Sequence, residues 1–102
     1  MPKGYVVVTE TIHDQQGIDA YNRAAAPSLM ASGARVLVVD RDPEVLEGDW
    51  PATQTVVLEF ESVEAARAWY SSDSYQEAAA LRRAAADCRL VLLAGFTPSG
   101  PR

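Results

Sequence analysis

One cysteine and one histidine stand in a chain of 102 residues. The single Cys88 excludes an internal disulfide and any cysteine-rich metal centre. His13 is flanked by Glu10 and Asp14, which are neighbours rather than a spaced ligand set, so no histidine-based metal site can be assembled around it. Long apolar runs are also missing. The stretch 90–94 is far too short to cross a bilayer, and Met1-Pro2-Lys3 leads straight into Gly4-Tyr5-Val6-Val7-Val8 without the apolar core and cleavage site of a secretory signal. A cytoplasmic location is therefore expected. Positive charge is scarce: nine Lys and Arg face 14 Asp and Glu, for a net charge of −5. The basic residues are scattered rather than gathered into a stripe, which disfavours a phosphate backbone as partner. No glycine-rich phosphate loop, nucleophile elbow or HExxH motif is present. Any catalysis would be cofactor-free acid–base work or orientation by binding.

What is present is the patterning of one folded domain, with 48% hydrophobic and 23% charged residues. Tyr5 to Glu10 is rich in β-branched and aromatic residues and predicts a first strand, with Thr11 to Gly17 as its exit loop. Ile18, Tyr21, Ala25 and Leu29 recur at helical spacing, with Asp14 as N-cap, Ser32-Gly33 as the stop and a kink expected at Pro27. Arg35 to Asp40 is a second strand. Glu44 to Glu47 is a candidate for a short extra strand before the breaks at Gly48 and Pro51. Gln54 to Glu61 is the third strand, followed by Ser62 as a helix cap. That helix pauses at Ser71-Ser72-Asp73-Ser74 and resumes to about Ala86. Arg89 to Ala94 is the last strand, with Cys88 at its entry. Residues 1–96 form the domain, and 97–102, with Pro98, Gly100 and Pro101, make a loose tail.

Strand, helix, strand, strand, helix, strand is the ferredoxin-like βαββαβ order, an α+β fold with one antiparallel sheet. Right-handed crossovers put the helices on one face of it. Val56, Leu58, Phe60, Leu90, Leu92 and Ala94 suit the helix side. The opposite set mixes Val57, Val91, Leu93, Leu37 and Val39 with Thr55, Glu59, Arg35 and Arg89. Burying even ~500 Å² of that face would contribute roughly 12 kcal/mol before association costs remove most of it. A homodimer with facing sheets is the expected answer.

Glu47-Gly48-Asp49-Trp50-Pro51, Val56-Val57-Leu58-Glu59-Phe60 and Ala68-Trp69-Tyr70-Ser71-Ser72-Asp73-Ser74-Tyr75-Gln76, in that order, resemble the uncharacterised bacterial family DUF1330. The resemblance runs from Gly4 to Gly95. It implies a dimeric α/β barrel and carries no established reaction. The exit-loop position of His13 does not match the helical histidine of haem-degrading dimeric barrels, so no haem and no other cofactor is expected.

Five residues are candidates for a site. Glu59, between Leu58 and Phe60, can face Arg35 across a strand pair and is the candidate proton acceptor; its plainer role is a structural ion pair. Arg82 offers a two-pronged donor fork for an anionic group, and the resemblance places an arginine in this part of the second helix. Tyr21 and Tyr75 match positions typical of the family and would line a pocket. Trp50 lies in a loop, where a large apolar residue covers a partner or a pocket mouth. The function expected is binding of a small anionic or aromatic organic metabolite between sheet and helices, with cofactor-free acid–base chemistry as its extension. The alternative is a non-catalytic homodimeric structural or ligand-sensing module, and the sequence does not decide whether the protein is an enzyme.

Overall fold

The computed structural model describes residues 2–50, 53–96 and 98. Its elements are β1 (Gly4–Ile12), α1 (Gln15–Ala31), β2 (Arg35–Asp40), β3 (Gln54–Phe60), α2 (Val63–Ser71), α3 (Asp73–Ala85) and β4 (Ala86–Ala94). The four strands pair antiparallel in the order β2-β3-β1-β4. This is the α+β, ferredoxin-like arrangement, in which each half returns its helices to the same side of the sheet. The predicted tail, 97–102, lies outside the described residues except for residue 98.

The caps are those the sequence advertises. Asp14 accepts from the amide of Gly17 at 3.1 Å, and Ser62 accepts from that of Ala65 at 3.0 Å. Helix α1 is continuous through Pro27 and closes at Gly33, whose φ of 75° is the left-handed conformation that glycine adopts without steric cost. Ser72 serves two helices. Its hydroxyl donates to the carbonyl of Trp69 at the end of α2 and accepts from the amide of Tyr75 at the start of α3. The chain turns there, and the Trp69 and Tyr75 rings come to 4.0 Å between centroids.

Three expectations need correcting. The first strand does not end at Glu10 but runs on to Ile12, because Thr11 and Ile12 pair with Asp87 and Ala86 of a fourth strand that begins at Ala86 rather than Arg89. Helix α3 therefore passes into β4 without a loop. Glu44 to Glu47 forms no strand. Finally, a bulge between Val36 and Val38 shifts the register of β2. Beyond it Val39 pairs with Val56 and so faces the helices, not the open side.

The core lies between the sheet and the helices. Val6, Val8, Leu58 and Phe60 from one side meet Ala66, Trp69, Tyr75 and Ala79 from the other. Alanines at Ala25, Ala78 and Ala79 let α1 and α3 approach closely. Gly17 serves the same contact: a β-carbon there would stand 2.7 Å from that of Ala85.

Candidate functional site

Alternation along β1 sends Val6 and Val8 into the core, and it sends Glu10 the same way. A carboxylate that is 3% exposed has to find partners. Glu10 finds them in its own row of the sheet, where Gln54 on β3 and Cys88 on β4 are its register neighbours. The Gln54 amide donates to Glu10 Oε1 at 2.6 Å, and the Cys88 thiol lies 4.0 Å from Oε2.

The helices supply the opposite wall. Tyr75, Ala78, Ala79 and Arg82 form the buried stripe of α3. Tyr21 of α1 meets Tyr75 hydroxyl to hydroxyl at 2.9 Å, with the rings edge to face. The Arg82 guanidinium stands 6.0 Å from the centre of the Tyr21 ring. Burial, reinforced by Tyr75, raises the pKa of Tyr21 well above the ordinary tyrosine value. Burial works against the charge on Arg82, but Cys88 and Tyr75 outweigh it and hold the guanidinium firmly protonated. Burial also raises the Cys88 pKa, against the pull of Arg82, so this thiol is a packed and weakly nucleophilic group. Among the described residues, two buried side-chain donors have no hydrogen-bond partner: Trp69 Nε1 and Arg82 Nε.

A cavity of about 250 Å³ opens between α1 and the β2–β3 half of the sheet. Glu10, Gln54, Tyr21 and Arg41 make its polar end, and Val36, Val39, Val56, Leu58 and Leu29 its apolar walls, with Trp69 also lining it. The bulge in β2 is what brings Val39 to this wall. Among the described residues no cluster of His, Cys, Asp and Glu could hold a metal ion, and no helix is long and apolar enough to cross a membrane.

Of the five residues singled out from sequence, three come together. Tyr21 lines the cavity, while Tyr75 and Arg82 stand behind it on α3. Arg82 faces a shallower depression beside β4, with Tyr70, Arg83 and Cys88. Glu59 is elsewhere. It lies on the open face of the sheet, where it accepts from the Tyr5 hydroxyl at 2.9 Å and pairs with Arg35 at 3.7 Å. That hydrogen bond raises the Tyr5 pKa. The sheet therefore separates Glu59 from Arg82. Trp50 is also remote from the cavity, and its indole donates to Thr55 Oγ1 on the open face at 2.8 Å. The residues that sequence reasoning passed over are Glu10, Gln54 and Cys88. The available signal was a carboxylate in phase with Val6 and Val8 on the core side of a strand.

No curated protein matches the chain. Among solved structures, it is similar to the RPA0582 protein of unknown function from Rhodopseudomonas palustris, with 21% identity, a TM-score of 0.78, and coverage of 95% of this chain and 85% of that one. SnoaB, a cofactor-independent oxygenase from Streptomyces nogalater, matches over 100% of both chains at 14% identity and a TM-score of 0.65. A dimeric ferredoxin-like protein of unknown function from a Jannaschia species matches at 13% identity and a TM-score of 0.63, over 89% of this chain and 97% of that one. At these identities the likeness is one of fold. The family model for the domain of unknown function DUF1330 matches residues 3–96, and the chain belongs to that family.

Proposed function

We propose that the protein is a homodimer that binds a compact, partly aromatic organic molecule in the cavity between α1 and the sheet, with Glu10 accepting a hydrogen bond or a proton from it. The observation that carries this reading is a carboxylate, 3% exposed and anchored by Gln54, at the polar end of an otherwise apolar cavity. Burial costs this carboxylate its water, and its second oxygen, which takes only the long 4.0 Å contact from the Cys88 thiol, has capacity for a stronger donor. The volume, about 250 Å³, falls just short of the ~300 Å³ at which ligand sites usually begin, so nothing larger than a single substituted ring is the appropriate size. A hydroxyl group on that ring would meet Glu10, and the ring would lie among Val39, Val56, Leu58 and Trp69. If a proton moves, it passes from an acidic O–H or C–H of the ligand to Glu10, and the Arg82 guanidinium beyond Tyr21 offsets the negative charge left behind. The likeness to a cofactor-independent oxygenase is compatible with chemistry of this kind.

The homodimer reading rests on the open face. Val38, Val57, Val7 and Val91 form one continuous apolar row across all four strands, with Leu93 in the next row. Val91 and Leu93 are about half exposed, at 52% and 49%. A second copy laid against this row would remove it from water. That a structure of the same fold is described as dimeric supports a homodimer.

The test is a thermal-shift screen of phenols, aromatic alcohols and aromatic acids. Phenols are expected to raise Tm by mass action, and Glu10→Gln, which keeps the shape but removes the charge, is expected to abolish the rise. If no member of the panel stabilises the wild-type protein, or if Glu10→Gln responds like wild type, the reading is wrong.

A further inference from the structure

The connection between β2 and β3 carries chemistry that the cavity does not use. Its described part, 41–50, is exposed almost throughout, yet holds Val45, Leu46 and Trp50, of which Leu46 is 83% exposed. Around them stand Asp42, Glu44, Glu47 and Asp49 against the single Arg41. The segment is thus an acidic arm with apolar teeth, turned at Gly48, whose φ is 73°. Trp50 ties its base to Thr55, on the open face of the sheet.

The opposite edge of the sheet has the complementary character. A groove of about 240 Å³ runs between α2 and β4, floored by Val6, Ala66, Leu90 and Leu92 and rimmed by Arg67 and Tyr70. Arg83 lies in the adjoining depression, which shares Tyr70 and Leu90 with the groove and also contains Arg82 and Asp87. Arg89 precedes the floor residue Leu90 on β4. In a chain of net charge −5, this edge gathers arginines around an apolar slot.

The arm and the groove are on opposite edges of one sheet, because β2 and β4 are its outer strands. Within one copy the full width of the sheet lies between them. A twofold axis running along the strands between two facing sheets exchanges the edges, so that β2 of each copy lies over β4 of the other. We propose that in the homodimer the 42–50 arm of each copy docks in the β4-edge groove of its partner, Leu46 and Val45 entering the slot and the arm carboxylates facing Arg67 and Arg83. This inference rests on the face-to-face homodimer proposed above and adds its register: strands aligned with the axis, edges exchanged, and two identical arm contacts. Charge complementarity of this kind sets which of the possible twofold arrangements forms.

Sedimentation equilibrium of the full chain tests it. Glu44→Arg with Glu47→Arg is expected to raise the dimer dissociation constant by about tenfold or more through like-charge contact with the arginine rim. Arg67→Glu with Arg83→Glu is expected to do the same, and the chain carrying all four changes should return to near the wild-type constant. Circular dichroism of each variant should match wild type, since all four positions are charged and exposed at the surface of the fold. Recovery in the fourfold variant supports the proposal. If the two double variants leave the constant unchanged, or both weaken it without recovery in combination, the arm contact is overturned while the sheet-face dimer stands. A wild-type chain that sediments as a monomer at micromolar concentration overturns both.

Discussion

Two strands of this sheet each carry a glutamate, and the two sides of the sheet use them differently: Glu10 is tied to Gln54 and Cys88, Glu59 to Tyr5 and Arg35. Glu10, on the helix side, is 3% exposed, is held by Gln54 and opens onto a cavity. Glu59, on the open side, retains 12% of its side-chain exposure and joins Tyr5 to Arg35, whose side chain is 74% exposed. A row of the sheet has the same backbone on both faces. What differs is the cover: three helices on one side and, among the described residues of a single copy, no helix on the other. The covered face desolvates its carboxylate and can therefore make it a ligand anchor, whereas the open face turns its carboxylate into a local tie of modest worth.

That contrast can be broken or sharpened by substitution. The largest effect is expected on the helix side, where Trp69→Ala would remove a ring packed on Phe60 and Tyr75 and cost about 3–5 kcal/mol in urea unfolding. Glu10→Ala should cost about 1–3 kcal/mol by leaving the buried Gln54 amide unpaired. Arg35→Ala, which breaks the only open-face ion pair to Glu59 among the described residues, should cost under about 1 kcal/mol. A loss from Arg35→Ala equal to that from Glu10→Ala would erase the distinction between the two faces.

A smaller effect concerns alkaline pH. Burial raises the Tyr21 pKa in the folded state above its unfolded value of about 10. The stabilisation tied to its protonated hydroxyl is thus fully present below about pH 10 and declines as pH climbs toward the folded value. In Tyr21→Phe that decline should be shallower than in wild type, as followed by urea midpoints on either side of pH 10. An unchanged slope would mean that Tyr21 ionises as freely as an exposed tyrosine.

Much of the architecture was legible because local signals and tertiary demands agreed. Asp14, Ser62 and Ser72 cap where a short polar side chain before an apolar period should cap, and the break at Ser72 announced the reorientation that joins Tyr75 to Trp69. The face of Val39 was not legible, because one inserted residue between Val36 and Val38 inverts every side chain after it and leaves no mark in the alternation. Glu44 to Glu47 offered an apolar pair, Val45-Leu46, ahead of the break at Gly48, but it forms no strand. The site was half visible. Tyr21, Tyr75 and Arg82 stand together, though of the three only Tyr21 lines the cavity, whereas Glu59 drew attention by its apolar neighbours in sequence, which in a strand point to the opposite face. Glu10 looked like the end of a strand, although it is in phase with Val6 and Val8, and the continuation of β1 through Thr11 and Ile12 along β4 keeps it inside the sheet.

The central claim is that the helix-side carboxylate, and not the open-face one, meets the ligand. Calorimetric titration of one stabilising phenol into wild type, Glu10→Gln and Glu59→Gln compares the two faces directly. The account predicts at least about a tenfold loss of affinity for Glu10→Gln, the scale of one charge-assisted hydrogen bond, and wild-type affinity for Glu59→Gln. Retained binding in Glu10→Gln together with loss in Glu59→Gln would contradict it.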